Sequence, residues 1–188
     1  MEENFAPENV RQRLILAGLK ELDKYGMKDF SLRRVAIEAG VSCAAPYRHF
    51  KDKDELIMAI TRYVIDGWML LSEQISNIYA DNTHGLVKEL AVAALRFWIA
   101  NAKFRSVFVM SEGKEASSLF CDPNEFDAPI VRAVHRLAAE EGREDTELLT
   151  FKVIALVYGA VSVVESGCGS ADAVARGLGI SIDDIIGK

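Results

Sequence analysis

The stretch Phe30-Ser31-Leu32-Arg33-Arg34-Val35-Ala36-Ile37-Glu38-Ala39-Gly40-Val41-Ser42-Cys43-Ala44-Ala45-Pro46-Tyr47-Arg48-His49-Phe50 decides how this 188-residue chain is read. Two short helical runs meet at Gly40-Val41-Ser42. Ser31 is placed to cap the first, over about 32–39, because a serine oxygen accepts from an early helical amide. Gly40 is placed to end it, since glycine readily takes the left-handed conformation of a helix stop. Ser42 is placed to cap the second run, over about 43–50. Pro46 falls in the first turn of that run, where amides lack intrahelical partners. Two capped helices joined by a tight glycine turn form a helix-turn-helix, whose second helix can enter the major groove of DNA.

Helical periodicity continues on both sides of this stretch. A first helix over 8–25 carries the stripe Val10, Leu14, Ala17, Leu22 and Tyr25, and Gly26 stops it. A long helix follows over about 53–79. Further helices are expected over 84–101, 104–110, 127–141 and 145–166, with a loop over 111–126. The chain ends in a short helix over 171–177, interrupted by Gly177 and Gly179, and a further turn at 182–186. There is no alternating strand pattern and no Asn-Gly or Asp-Gly hairpin signal. The fold is therefore expected to be all-α with about nine helices. A helix-turn-helix domain of three helices occupies residues 1–52, and a C-terminal helical domain occupies residues 53–188.

Half of the residues are hydrophobic and 27% are charged, which fits a globular protein and excludes disorder. Lys and Arg number 22 against 28 Asp and Glu, so the chain is not a bulk polycation. The charge is uneven, however. Residues 9–63 hold eleven bases and seven acids, so a basic patch lies within an acidic total. Cys43, Cys121 and Cys168 form no disulfide framework and no zinc spacing, which suits a reducing cytoplasm. The acidic, polar N-terminus is unlike a signal peptide. The longest apolar run, near 153–164, is shorter than the ~20 residues a bilayer requires. Motifs of hydrolases, P-loop enzymes and zinc proteases are absent. Gly167-Cys168-Gly169 reads as a helix stop, because Asp172 stands where a dinucleotide loop needs its third glycine. No enzyme, cofactor or metal is expected.

The run Phe30–Ala36, then Ala39-Gly40-Val41-Ser42, then Ala45-Pro46-Tyr47-Arg48-His49-Phe50-Lys51-Asp52-Lys53-Asp54-Glu55-Leu56, resembles the TetR family of bacterial transcriptional regulators. Its strongest marks are Tyr-x-His-Phe and the lysine three residues beyond. The resemblance implies that Ser31 caps the helix that crosses the DNA backbone. It implies that Arg33 and Arg34 approach phosphate, with Arg33 also near a base. Ser42 would open the recognition helix, and Cys43, Ala44, Ala45, Tyr47, Arg48 and His49 would lie on it. Tyr47, His49 and Lys53 match positions that contact phosphate. Val35, Ala36, Val41 and Phe50 match core positions.

Elementary chemistry adds that Arg48 is the one long cationic donor on the second helix, and arginine is the commonest bidentate reader of guanine. Cys43, Ala44 and Ala45 are small enough for close approach to thymine methyls. Each residue alone has a plainer reading: Tyr47 as a packed aromatic, His49 as a surface histidine, Arg33 and Arg34 as a solvated pair. The joint pattern favours DNA. Cys43 also admits a redox reading, as a thiol at a helix start.

The same resemblance implies a ligand cavity in the C-terminal domain for an apolar or aromatic effector. The candidate residues are Trp68, Phe97, Trp98, Asn101, Phe104, Phe108, Met110, Phe126, His135 and Tyr158; the plainer reading of the aromatics is core. The helix over 145–166 is apolar nearly all round and must be covered on every side. A second subunit is the expected cover, through Val153, Leu156, Val157, Ala160, Val161 and Val164. The resulting expectation is a cytoplasmic, homodimeric repressor that reads a palindromic double-stranded operator and is released by a small effector. The alternatives are a regulator of the same build without an effector, and a protein-binding adaptor on the same scaffold.

Overall fold

The protein is described by a computed structural model, which places residues 7–102 and 123–187. Among these residues there are eight helices and no strand. They are α1 (Pro7–Tyr25), α2 (Leu32–Glu38), α3 (Pro46–His49), α4 (Lys53–Ile78), α5 (Thr83–Ala100), α6 (Pro123–Glu141), α7 (Thr146–Glu165) and α8 (Ala171–Ile186). The helix expected over 104–110 lies outside the described residues.

The described chain falls into two compact units, residues 7–66 and residues 67–102 with 123–187. α4 runs through the division, so its start at Lys53 marks an element boundary and not the edge of a compact unit. In the first unit α1 packs on α2 and α3. Leu14, Leu22, Val35, Ala36, Phe50, Leu56 and Ile60 are almost wholly buried there. On α1, Val10 is only half-buried and Tyr25 is exposed, while Ile15, Gly18 and Glu21 are also buried, so its inward face is shorter and broader than the expected stripe; Val41, expected in the core, is half-buried.

In the second unit α5 is the central helix, packed against α6, α7 and α8. Its buried residues Leu86, Val87, Leu90, Ala91, Ala94, Leu95 and Trp98 follow the three-and-four spacing of one helical face. Asn82 opens it, its side-chain oxygen accepting from the Gly85 amide at 2.9 Å. α6 begins earlier than its apolar stripe suggested. Pro123 occupies the first helical position, where its missing amide costs nothing, so the end of the expected loop is helical instead.

α8 departs most from expectation. It is one continuous helix of 16 residues, and Gly177 and Gly179 do not interrupt it. Two interior glycines cost about 1 kcal/mol each. Burying a single Leu or Ile recovers about 1.5–3 kcal/mol, and Leu178, Ile182 and Ile186 all face inward. Gly179 is itself buried, and a Cβ there would stand 3.1 Å from the Lys88 side chain of α5. Its lack of a side chain lets α8 lie close to α5 where the Lys88 ammonium meets the Asp183 carboxylate at 2.5 Å.

α7 lies where a helix over 145–166 was expected. Its most apolar 18-residue window has a mean hydropathy of 1.8, so by length and composition alone it could cross a bilayer. It packs on α5, α6 and α8 through Leu149, Val153, Val157, Ala160 and Val161. Its opposite side leaves Leu148 and Phe151 exposed.

Candidate nucleic-acid interface

Ser31 caps α2 as expected, its hydroxyl oxygen facing the Arg34 amide at 3.5 Å. Gly40 ends the helix with φ +65°, the left-handed region that an L side chain enters only at a cost. The Val41 amide then bonds back to the Ala36 carbonyl at 3.0 Å, closing the turn. This short connection fixes the exit of the chain from α2.

α3 is shorter than the expected helix over 43–50. It begins at Pro46 and covers only four residues. The cause is local: Pro46 has no amide to donate to the Ser42 carbonyl four residues back, so a helix opening at Ser42 lacks its first i to i+4 hydrogen bond, although Ala45 keeps α conformation (φ −62°, ψ −43°). Ser42 therefore caps no helix. Its carbonyl accepts the Ala45 amide at 2.9 Å in a turn that leads into α3. After α3, Asp52 opens α4, its side-chain oxygen accepting from the Glu55 amide at 2.9 Å.

The expected DNA-facing residues divide into three groups. Ser42, Cys43, Ala44, Tyr47, Arg48 and Arg33 are exposed, and His49 is half-buried. Tyr47 presents 64% of its surface, although it lies one residue from the buried Pro46. Among the described residues the Arg48 side chain makes no hydrogen bond or ion pair. Ala45, in contrast, is buried at 9% exposure and packs inward with Pro46 and Phe50; it supports the surface and does not form it. Arg34 and Lys53 are engaged within the unit. The Lys53 ammonium donates to the Met27 carbonyl at 3.0 Å and lies 5.5 Å from the Phe30 ring centre. Arg34 donates through Nε to Glu21 Oε1 at 2.7 Å and lies over the Tyr25 ring at 4.2 Å.

The expected effector residues of the second unit are also sorted by their surroundings. Trp68, Trp98 and Phe126 are fully buried against one another, with Phe126 stacked on Trp68 at 4.7 Å and tilted on Trp98 at 4.2 Å. Phe97 borders them at 5.5 Å from Trp68 and is half-buried. Trp68 Nε1 donates to the Phe126 carbonyl at 2.8 Å, which pins α4 to the start of α6. Asn101 is occupied at the end of α5, its amide nitrogen donating to the Phe97 carbonyl at 2.8 Å. His135 is exposed. Phe104, Phe108 and Met110 lie outside the described residues.

Tyr158 meets a residue that sequence reasoning missed. Its hydroxyl donates to Asp127, 3.2 Å from Oδ2. Burial pushes the Asp127 carboxyl up to about 6, and the Tyr158 hydrogen bond offsets only part of that. The signal was present, because Asp127 stands three and seven residues before the buried Ile130 and Val134. Glu21 was missed in the same way. It stands seven after Leu14 and four after Ala17 on the buried stripe of α1, and only 6% of it is exposed.

Of the expected partner-facing residues of α7, Val153, Val157, Ala160 and Val161 are buried inside the second unit itself, while Leu156 and Val164 are half-buried. The apolar side chains left exposed are Leu148, Phe151 and Val163 on α7 and Ile180 on α8.

A short helix held out by a glycine turn on a tight three-helix core defines a helix-turn-helix protein with a separate helical unit. Residues 14–60 match the family described as bacterial regulatory proteins, tetR family. An HTH-type transcriptional regulator of Staphylococcus aureus strain USA300 is 35% identical over 77 residues, covering 41% of each chain. A protein of unknown function from Rhodococcus superposes with a TM-score of 0.77 at 22% identity, covering 96% of this chain and 95% of that one. A TetR-family regulator from Mesorhizobium loti, described as putative, superposes at 0.71 and 14% identity, covering 97% and 98%. The family match lies over residues 14–60 of the 188, the stretch that holds α2, the Gly40 turn and α3. The match spans 41% of the length of the curated relative, and the two structural likenesses are of fold.

Proposed function

We propose that the protein is a DNA-binding transcriptional regulator of the cytoplasm, a repressor that binds a palindromic operator as a homodimer. The observation that carries this reading is the exposed surface of Ser42, Cys43, Ala44, Tyr47 and Arg48, held on a core that has no other use for them. Arg48 supplies a bidentate donor for a guanine edge, and the small residues allow close approach in the groove. Arg33 at the start of α2 supplies a phosphate contact.

The exposed apolar stripe of Leu148, Phe151 and Val163, with Ile180 beside it in sequence order on α8, supports pairing of two copies through this side of α7 and α8. Exposed Ala155, Gly159 and Ser162 lie between them and let a partner helix approach closely. Two copies related by a two-fold axis would present two recognition elements to half-sites about 34–36 Å apart.

The second unit is the effector-responsive part in this reading. Phe97 and Tyr158 are the half-buried candidates there, while Trp68, Trp98 and Phe126 form its packed floor. The effector suited to them is a small, mainly aromatic molecule with one group able to hydrogen-bond.

The test is a salt titration of binding to duplex DNA. The parent should bind with an affinity that falls steeply with salt, and Tyr47→Ala/Arg48→Ala should abolish sequence preference while leaving the fold intact. A parent that binds no duplex even at low salt, with or without cell extract metabolites, would remove the reading.

A further inference from the structure

The helix-turn-helix carries a charged pair that its surface function does not explain. Glu21 of α1 is a carboxylate at 6% exposure, on the stripe that also buries Leu14 and Ala17. Its Oε1 accepts three contacts, all from the start of α2 or just before it. The Ser31 amide donates at 3.1 Å, Arg34 Nε at 2.7 Å, and Arg34 Nη2 stands at 2.5 Å. Arg34 Nη2 also donates to the Asp29 carbonyl, and the guanidinium lies over Tyr25 at 4.2 Å.

In a capping box the residue at the third helical position reaches back to the amide of the cap residue. Here Ser31 is the cap and the third position is Arg34, a donor that cannot accept that amide. Glu21 takes the amide from the neighbouring helix instead, and Arg34 turns back to neutralise Glu21. The helix start is thereby fastened to α1. The exposed bridge between Lys20 and Glu38 at 2.9 Å adds little, because both side chains are largely solvated.

We propose that Glu21 and Arg34 act as a positioning pair that fixes the start of α2 on α1, and so sets where the turn and α3 stand for DNA. Arg34 is then a brace and not a phosphate contact, although its place in the motif suggests otherwise. The proposal rests on the DNA-binding reading for its effect on affinity, but not for its effect on α2.

The discriminating variants are Arg34→Ala alone and Glu21→Gln/Arg34→Ala. Removing only the arginine leaves a buried carboxylate without its countercharge, whereas Gln at 21 still accepts the Ser31 amide and needs no countercharge. Arg34→Ala should weaken duplex binding about tenfold and speed hydrogen exchange of the Ser31 and Val35 amides in the free protein. The double variant should return both to within about threefold of the parent. The slope of log affinity against log salt should match the parent in all variants, since no phosphate contact is lost.

A double variant as weak as Arg34→Ala, with a slope reduced by about 0.9, would make Arg34 a phosphate contact and overturn the proposal. Unchanged amide exchange in Arg34→Ala would overturn it as well. If the parent itself binds no duplex, the DNA-binding reading fails, and the exchange measurement alone decides whether the brace exists.

Discussion

Arg48 and Asp127 are the two residues whose surroundings give the most specific expectations. Arg48 is exposed and its side chain makes no hydrogen bond or ion pair among the described residues, so its removal should cost little stability. Arg48→Ala should cost about 1–3 kcal/mol on the preferred duplex and relax the choice of base at one position per half-site. Anisotropy titrations against single-base variants of the site would show this; a uniform loss across all variants would make Arg48 a phosphate contact.

Asp127 acts on stability. In an unfolded chain it titrates near 3.9, while in the fold burial raises it to about 6. The folded state therefore holds this proton more tightly. The resulting penalty is absent below about pH 4, grows as pH rises towards 6, and then stays constant at up to about 3 kcal/mol. Asp127→Asn, which can still accept from Tyr158, should be more stable than the parent at pH 7.5 and equal to it at pH 4. Urea unfolding at both values measures the difference, and a gap that does not change with pH would contradict the assignment.

Both Asp127 and Glu21 sit on apolar stripes, and that much was legible in the sequence. Their partners were not, because Tyr158 and Arg34 lie 31 and 13 residues away and meet them only through packing.

At the scale of elements, the helices were legible and several of their ends were not. The α2 cap and the Gly40 stop follow from residue type alone, since their hydrogen bonds are local. The start of α3 was misplaced because Ser42 resembles a cap, and Pro46 brings no amide to bond the Ser42 carbonyl. α8 was read as broken because glycine propensity is local, while the inward faces of Leu178, Ile182 and Ile186 depend on α5 and α7. The two α8 glycines should respond differently to a methyl group. A Cβ at Gly177 meets nothing within 4 Å, so Gly177→Ala should raise stability by about 0.4–1 kcal/mol. Gly179→Ala should gain less or lose, because Lys88 must yield and its ion pair with Asp183 must shift. Thermal unfolding of the two variants settles the order, and a larger gain from Gly179→Ala would show that α8 does not lie this close to α5.

At the scale of the whole molecule, the apolar character of α7 was legible but the side it leaves exposed was not. One residue of rotation on a helix turns its stripe by about 100°, and only the packed structure shows that Val153, Val157 and Val161 already face inward. Phe151, in the first half of α7, is 68% exposed, the most of its large apolar side chains. Phe151→Asp should convert a dimer to a monomer in sedimentation and weaken operator binding, with the monomer still folded. An unaltered dimer would place the interface elsewhere. An effector that favours another separation of the recognition helices would weaken DNA binding, and DNA must weaken effector binding by the same factor.

Selection of bound duplexes from a randomised library at physiological salt decides whether the protein reads an inverted repeat. An inverted repeat should be enriched, with half-sites about one helical turn apart and one base pair per half-site lost from the motif in Arg48→Ala. Enrichment of a single unrepeated site, or of nothing by a folded parent that dimerises, would contradict that reading.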